Sequence, residues 1–283
     1  MVFLILSIIC SVSVGAIFKL ARRYSIAISQ IVAANYIFAL VLCYFFFSPN
    51  LADVGIGAPW KIYVSLGILL PTIFLFLALS IKEVGIVKTD AAQRLSLFIP
   101  ILAAWLLFGE NFNGLKITAF GIAFPALLLI LNKPSENTKN NWMYPAIVLM
   151  GFGLIDILFK QIALFTHLPY TTSLFVVFGL ALILMIVVVG YEIVFKKAKF
   201  NFKNLLFGGL VGIFNFGNIL FYLKAHQSFA ENPSTVFAGM NMGVILVGSL
   251  TGVFIFKEKL SKMNYVGLFL ALMAIVLIVF SQK

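Results

Sequence analysis

Charge is what this sequence has least of. Only 10% of its 283 residues are Asp, Glu, Lys or Arg, 63% are hydrophobic, and the mean hydropathy is +1.12. A soluble domain is about half apolar and about a quarter charged. This chain cannot cover a water-facing surface with polar groups, and it reads as a polytopic membrane protein. Acids are scarcer still, nine against 20 basic residues, for a net charge of +11. That excess does not point to nucleic acid. The Lys and Arg fall in short connectors between apolar segments, with no basic face and no interleaved aromatic-basic motif.

Cysteine and histidine are nearly missing, two of each. Cys10 and Cys43 both sit in apolar segments and read as small buried or lipid-facing residues, not as a disulfide. There is no CxxC, HExxH, GxSxG or histidine cluster, so no metal or cofactor is expected, and an enzyme is disfavoured. No GxxxxGK[ST] loop is present, which argues against ATP-driven machinery. The opening segment, MVFLILSIICSVSVGAIFKLA, lacks the basic start and the cleavage site of a signal peptide. It is expected to remain as a spanning helix.

What the chain has instead is long apolar runs. About 20 residues cross a hydrocarbon core of about 30 Å, and ten runs of that kind are legible. They lie near 2–20, 27–47, 61–81, 86–107, 114–131, 142–164, 172–194, 204–225, 234–256 and 263–281. The fourth and fifth are separated only by FGENFNG and must be antiparallel neighbours. NKPSENTKNN, residues 132–141, has no apolar residue and divides the chain into 1–131 and 142–283. Each part holds five helices, and because five is odd the parts must enter the membrane in opposite senses.

The two parts also look alike. VGAIFKLA aligns with LIDILFKQIA, setting Lys19 opposite Lys160. WLLFGENFNGLKITAFG aligns with VFIFKEKLSKMNYVG, setting Glu110 opposite Glu258. The expected fold is therefore all-α, ten transmembrane helices in two inverted five-helix repeats around a central cavity. Transporters built this way bind substrate near the midplane, where the halves meet. Fourteen of the 20 Lys and Arg lie in connectors after odd-numbered helices, four lie on the other side, and Arg94 and Lys160 lie within spans. The positive-inside rule puts the fourteen in the cytoplasm and both termini outside.

This pattern resembles the EamA-like branch of the drug/metabolite transporter superfamily. The resemblance covers nearly the whole chain and rests on the two five-helix repeats with their GEN (109–111) and KEK (257–259) turns. It implies a secondary transporter whose first four helices in each repeat surround the cavity, the fifth and tenth packing outside. It also implies cytoplasmic termini, whereas the charges of this sequence put both termini outside.

Polar residues inside apolar spans mark the candidate site. A charge well within a span costs a few kcal/mol or more facing lipid, so Asp90, Gln93 and Arg94 in KTDAAQRLSLFIP must face protein or water. Arg94 can hold a carboxylate or phosphate, with Gln93 beside it. The plainer reading is an Asp90–Arg94 pair on one helix face. Asn215, Asn218 and Tyr222 share a face of the eighth helix, and Asn241 in the ninth aligns with Gln93. All four are substrate-binding candidates, and interhelical bonding is the alternative. Asp156 and Lys160 form an i,i+4 pair in the sixth helix, where the acid can serve proton coupling or stand permanently neutralised. Glu110 and Glu258 read as caps of the fifth and tenth helices, and His167 and His226 as interfacial.

The reading is an alternating-access carrier of a small polar or anionic metabolite, an exporter or exchanger in the cell (inner or plasma) membrane. Its expected partners are the small-molecule substrate, protons and the lipid bilayer, with monomer and homodimer both open. The alternatives are a channel or a non-transporting membrane partner, and after those a membrane enzyme.

Overall fold

The computed structural model describes residues 1–21, 24, 26–55, 57–84, 86–131, 142–257 and 261–281. The side chains of residues 53, 86–88, 90 and 131 lie outside that description. So do the polar linker 132–141 and Glu258, with the cap expected of it. Among the described residues the protein is all-helical.

Eleven helices follow one another: α1 (Val2–Ala21), α2 (Ile28–Phe47), α3 (Trp60–Val84), α4 (Ile86–Leu95), α5 (Phe98–Leu106), α6 (Gly114–Leu131), α7 (Met143–Leu164), α8 (Tyr170–Lys196), α9 (Phe202–Ser228), α10 (Pro233–Phe254) and α11 (Lys262–Phe280). Eight of them, all but α4, α5 and α6, are long and apolar enough to cross a membrane. Ala91–Leu106 and Gly114–Ile130 are shorter apolar helical stretches. The bundle shows large apolar side chains on its outside, Phe45 at 78% and Phe254 at 77% exposure. Such a surface is stable only against lipid, so this is a multi-pass membrane protein.

The expected single helix over 86–107 is broken. α4 ends at Leu95, residues 96–97 form a turn, and α5 starts at Phe98. Pro100 is the cause in the sequence. It has no N–H to donate to Ser96 and its ring crowds that carbonyl. It therefore sits in the first turn of α5, where a missing donor costs nothing. Past the end of α5 at Leu106 the chain turns at Gly109, whose φ of +64° is a left-handed conformation that suits glycine.

Small residues set the closest helix approaches. A Cβ on Gly208 would stand 2.4 Å from Ala34 Cβ, and one on Gly212 would stand 2.8 Å from the Asn35 carbonyl oxygen. α9 therefore lies directly on the backbone of α2. Gly239 and Gly243 of α10 instead make room for side chains of α1, where added Cβ atoms would meet Leu4 Cδ2 at 2.8 Å and Ile8 Cδ1 at 2.3 Å. α9 packs against α1, α2 and α7; α3 packs against α7 and α8; α4 and α5 pack against α7; α6 and α11 pack together at the margin.

Candidate functional site

One cavity runs into the bundle from the end that carries Lys19, Lys82 and Phe256. Its outer part is a vestibule of about 660 Å³ lined by α1, α3, α4 and α10. It narrows to an inner chamber of about 140 Å³ walled by α3, α4, α7, α9 and α10, with Ser11 of α1. Ser11, Phe74, Gln93, Arg94, Asn215 and Asn218 belong to the walls of both, so the two form one continuous space.

The sequence candidates converge on the chamber. Gln93, Arg94, Asp156, Asn215, Asn218, Tyr222 and Asn241 all line it, from four helices far apart in the chain. Between them stand Leu70, Ile73, Phe74, Phe152 and Phe159, so a solute meets apolar walls studded with a few polar groups. Asp90 is a residue of α4, and its side chain, with the Arg94 pairing expected of it, lies outside the described residues.

The local bonds orient these groups. Tyr222 donates its phenolic hydrogen to Asp156 Oδ1 at 2.8 Å. Asn215 Nδ2 donates to Asn35 Oδ1 at 3.1 Å, so Asn35 works as a bracket behind the chamber wall. Ser7 Oγ donates to Asn218, with Oδ1 at 2.8 Å. Asn241 Nδ2 bonds back to the Phe237 carbonyl at 3.0 Å, which leaves its amide oxygen free of that bond and available as an acceptor. Polar groups in an apolar bundle need such partners. Here each amide spends part of its capacity on the protein.

The inner end is closed. Beneath Tyr222 the ring of His226 sits edge-on to it at 4.6 Å and against Phe237 at 4.8 Å, fully buried. Further toward the sealed end, Glu110 accepts from Lys116 Nζ at 2.6 Å, from Ser234 N–H at 2.8 Å and from Ser234 Oγ at 2.5 Å. Lys116 also donates to Asn232 Oδ1 at 2.6 Å. Lys160 Nζ donates to the Ala230 carbonyl at 2.7 Å and toward the His226 carbonyl at 3.5 Å. These bonds tie the α5–α6 turn and α7 to the α9–α10 turn.

Three expectations change here. Asp156 and Lys160 do not form an ion pair. Asp156 faces the chamber and Tyr222, while the longer Lys160 reaches the carbonyls at the end of α9, where the helix dipole favours a cation. Lys160 is therefore not a chamber residue. Glu110 does cap a helix, but it caps α10 and not the α6 that follows it in sequence. His226 is not interfacial, because α9 continues to Ser228 and α10 folds over the ring; His167 is exposed, as expected. The sequence reading passed over Lys116, taking it for a connector charge. Ser7, Phe74, Phe152 and Phe159 were also missed, being ordinary residues in apolar spans with no charge to mark them.

No family model matches the chain. An uncharacterized protein of Haemophilus influenzae (strain Rd) is 40% identical over 290 residues, spanning 99% of this chain and 98% of its own. The two proteins belong to one family. A solved crystal structure is similar over 98% of this chain and 94% of its own, with a TM-score of 0.68 at 12% identity. At that identity the likeness is one of fold alone.

Proposed function

We propose that the protein is a secondary transporter that carries a small polar or anionic metabolite across a cell membrane by alternating access. One observation carries this reading. The seven polar residues of the chamber come from α4, α7, α9 and α10 and meet in one space, open at one end and sealed at the other. A scaffold that needed only interhelical bonds has no reason to gather them around a void.

The helix contacts support the inverted repeat. Counting α4 and α5 as one broken span gives ten, five on each side of the linker. If each span is exchanged for the one five places on, α1 on α9 becomes α7 on α3, α2 on α9 becomes α8 on α3, and α1 on α10 becomes α7 on α4–α5. Every one of these contacts is present. Pairs such as α2 with α8 and α6 with α11 map onto themselves. A pseudo-twofold axis of this kind is what lets the two ends of a carrier exchange roles. The resemblance to the EamA-like transporters points the same way, with α6 and α11 in the peripheral places.

In this reading Arg94 holds the anionic group of the substrate, Gln93 and the three asparagines hold its polar edge, and Asp156 is the coupling acid. The Lys- and Arg-rich end faces the cytoplasm, so the conformation seen is inward-open. The test compares metabolites inside and outside cells that carry the wild type, Arg94→Ala or an empty vector. The expected result is one compound class redistributed by the wild type and not by Arg94→Ala at equal membrane level. A wild type that matches the empty vector in every growth condition overturns the transporter reading.

A further inference from the structure

His226 is a polar side chain that the reading above leaves without work. It is fully buried, and both of its ring nitrogens lack a hydrogen-bond partner. An unpaired polar group in an apolar interior is costly and calls for an explanation. The ring lies against Tyr222, one turn earlier on α9, and Tyr222 in turn donates to Asp156 in the chamber. On its other side the residue's own carbonyl receives Lys160, which belongs to the sealed end.

Among the described residues, Lys224 on α9 itself turns its ammonium to the Phe3 ring, and Glu231 in the turn beyond α9 is exposed. α7 brings Asp156 and Lys160 toward His226, and Glu110 stands behind Lys160 with its salt bridge to Lys116. α10 has no charged residue and α2 has none; the one charge of α1, Lys19, is at the opposite end. The line Asp156, Tyr222, His226 thus leads from the solute chamber to the closed face with apolar walls around it.

We propose that His226 is the inner member of a proton relay, His226–Tyr222–Asp156, that joins the chamber to the face sealed in this conformation. When that face opens, a ring nitrogen takes a proton from water and becomes an imidazolium. No ring nitrogen is bonded to Tyr222 in this conformation; the same opening turns the ring so that the imidazolium donates to the Tyr222 oxygen, and it passes a proton there as the Tyr222 hydrogen moves to the Asp156 carboxylate. The neutral carboxyl later releases its proton to water in the chamber, and all three groups return to their starting forms. Because Lys160 holds the main chain of the same histidine, parting of the sealed end moves the ring. The proposal rests on the transporter reading only for its purpose; the relay can be observed without any substrate.

With two histidines in the chain, the experiment is direct. Full-length protein with ¹⁵N-labelled histidine and His167→Gln, reconstituted in lipid nanodiscs, leaves one imidazole to follow by NMR from pH 5 to 9. The expected result is a titration of His226 whose midpoint moves by at least half a pH unit in Asp156→Asn, and likewise in Tyr222→Phe, which keeps the ring and removes only the hydroxyl. A ring that stays neutral across the whole range in the parent protein overturns the relay whether or not the variants fold. So does a midpoint that neither substitution moves. Metabolite redistribution in cells answers the transport question separately, so failure of one reading is not mistaken for failure of the other.

Discussion

Lys116 and Glu110 are six residues apart in the chain and meet at 2.6 Å, both almost wholly withdrawn from solvent. Neither faces the helix it precedes or belongs to as its main partner. Together they grip the first turn of α10 through Ser234 and Asn232. A buried pair owes little of its value to attraction alone, since desolvating both ions offsets much of it. What it does is make the arrangement intolerant of losing one member.

That intolerance is measurable. Glu110→Gln and Lys116→Met each leave one charge buried without its counterion, a change that costs about 3–5 kcal/mol. Each single variant is expected to lower the thermal unfolding midpoint in detergent markedly. The double variant Glu110→Gln/Lys116→Met is expected to recover part of the loss, since neither member of the pair is then left charged, and only part, since Lys160 still loses the nearby Glu110 carboxylate. A double variant as unstable as the sum of the singles shows that the two residues act independently.

Asp156 makes the opposite case. It is not bound to Lys160, so neutralising it orphans no ammonium. Asp156→Asn keeps an oxygen to accept from Tyr222 and is expected to cost no more than about 1.5 kcal/mol, the worth of a single hydrogen bond. Thermal unfolding beside the Glu110 variants checks this. A loss as large as that of Glu110→Gln shows a hidden ion pair. In cells, the same variant is expected to abolish the dependence of metabolite redistribution on external pH while reaching the membrane at the wild-type level.

Two glycines on α10 separate tight packing from open wall. A Cβ on Gly243 would lie 2.3 Å from Ile8 Cδ1, whereas one on Gly248 finds nothing nearer than Val12 at 4.0 Å. Gly243→Val forces α10 from α1 and is expected to cost about 1–3 kcal/mol through overpacking. Gly248→Ala sits at the vestibule wall and is expected to be neutral or slightly stabilising, because alanine suits a helix better than glycine by about 1 kcal/mol. Unfolding midpoints of the two variants check both.

The membrane class was legible from composition, and the chamber was legible from isolated polar residues in apolar spans. An amide or charge there must find protein or water, which is a physical constraint that needs no structure. Seven of the residues chosen that way line one cavity. Partner choice was not legible. The i,i+4 spacing of Asp156 and Lys160 makes contact possible, but Tyr222 of α9 and the Ala230 carbonyl of the turn after it offer better geometry, and they lie 66 and 70 positions on. Glu110 shows the same limit, because the α10 terminus it caps lies 124 positions on. The break at 96–97 was within reach, given that Pro100 disfavours an uninterrupted helix.

The margin of the bundle supplies a last prediction. Ser261 and Asn264 form a capping box at the start of α11, and Asn264 Nδ2 also donates to the carbonyls of Leu129 at 3.0 Å and Ile130 at 2.8 Å. One side chain therefore starts α11 and closes the end of α6. Loss of a cap costs about 0.5–2 kcal/mol, and loss of the donor leaves two carbonyls short of a partner. Asn264→Ala is expected to lower the unfolding midpoint clearly. α6 and α11 contribute only Ile130 to the cavity walls, so metabolite redistribution per molecule in the membrane is expected to remain at the wild-type value. A variant that is stable but inactive assigns this outer pair a part in the working cycle, and removes it from the role of passive support.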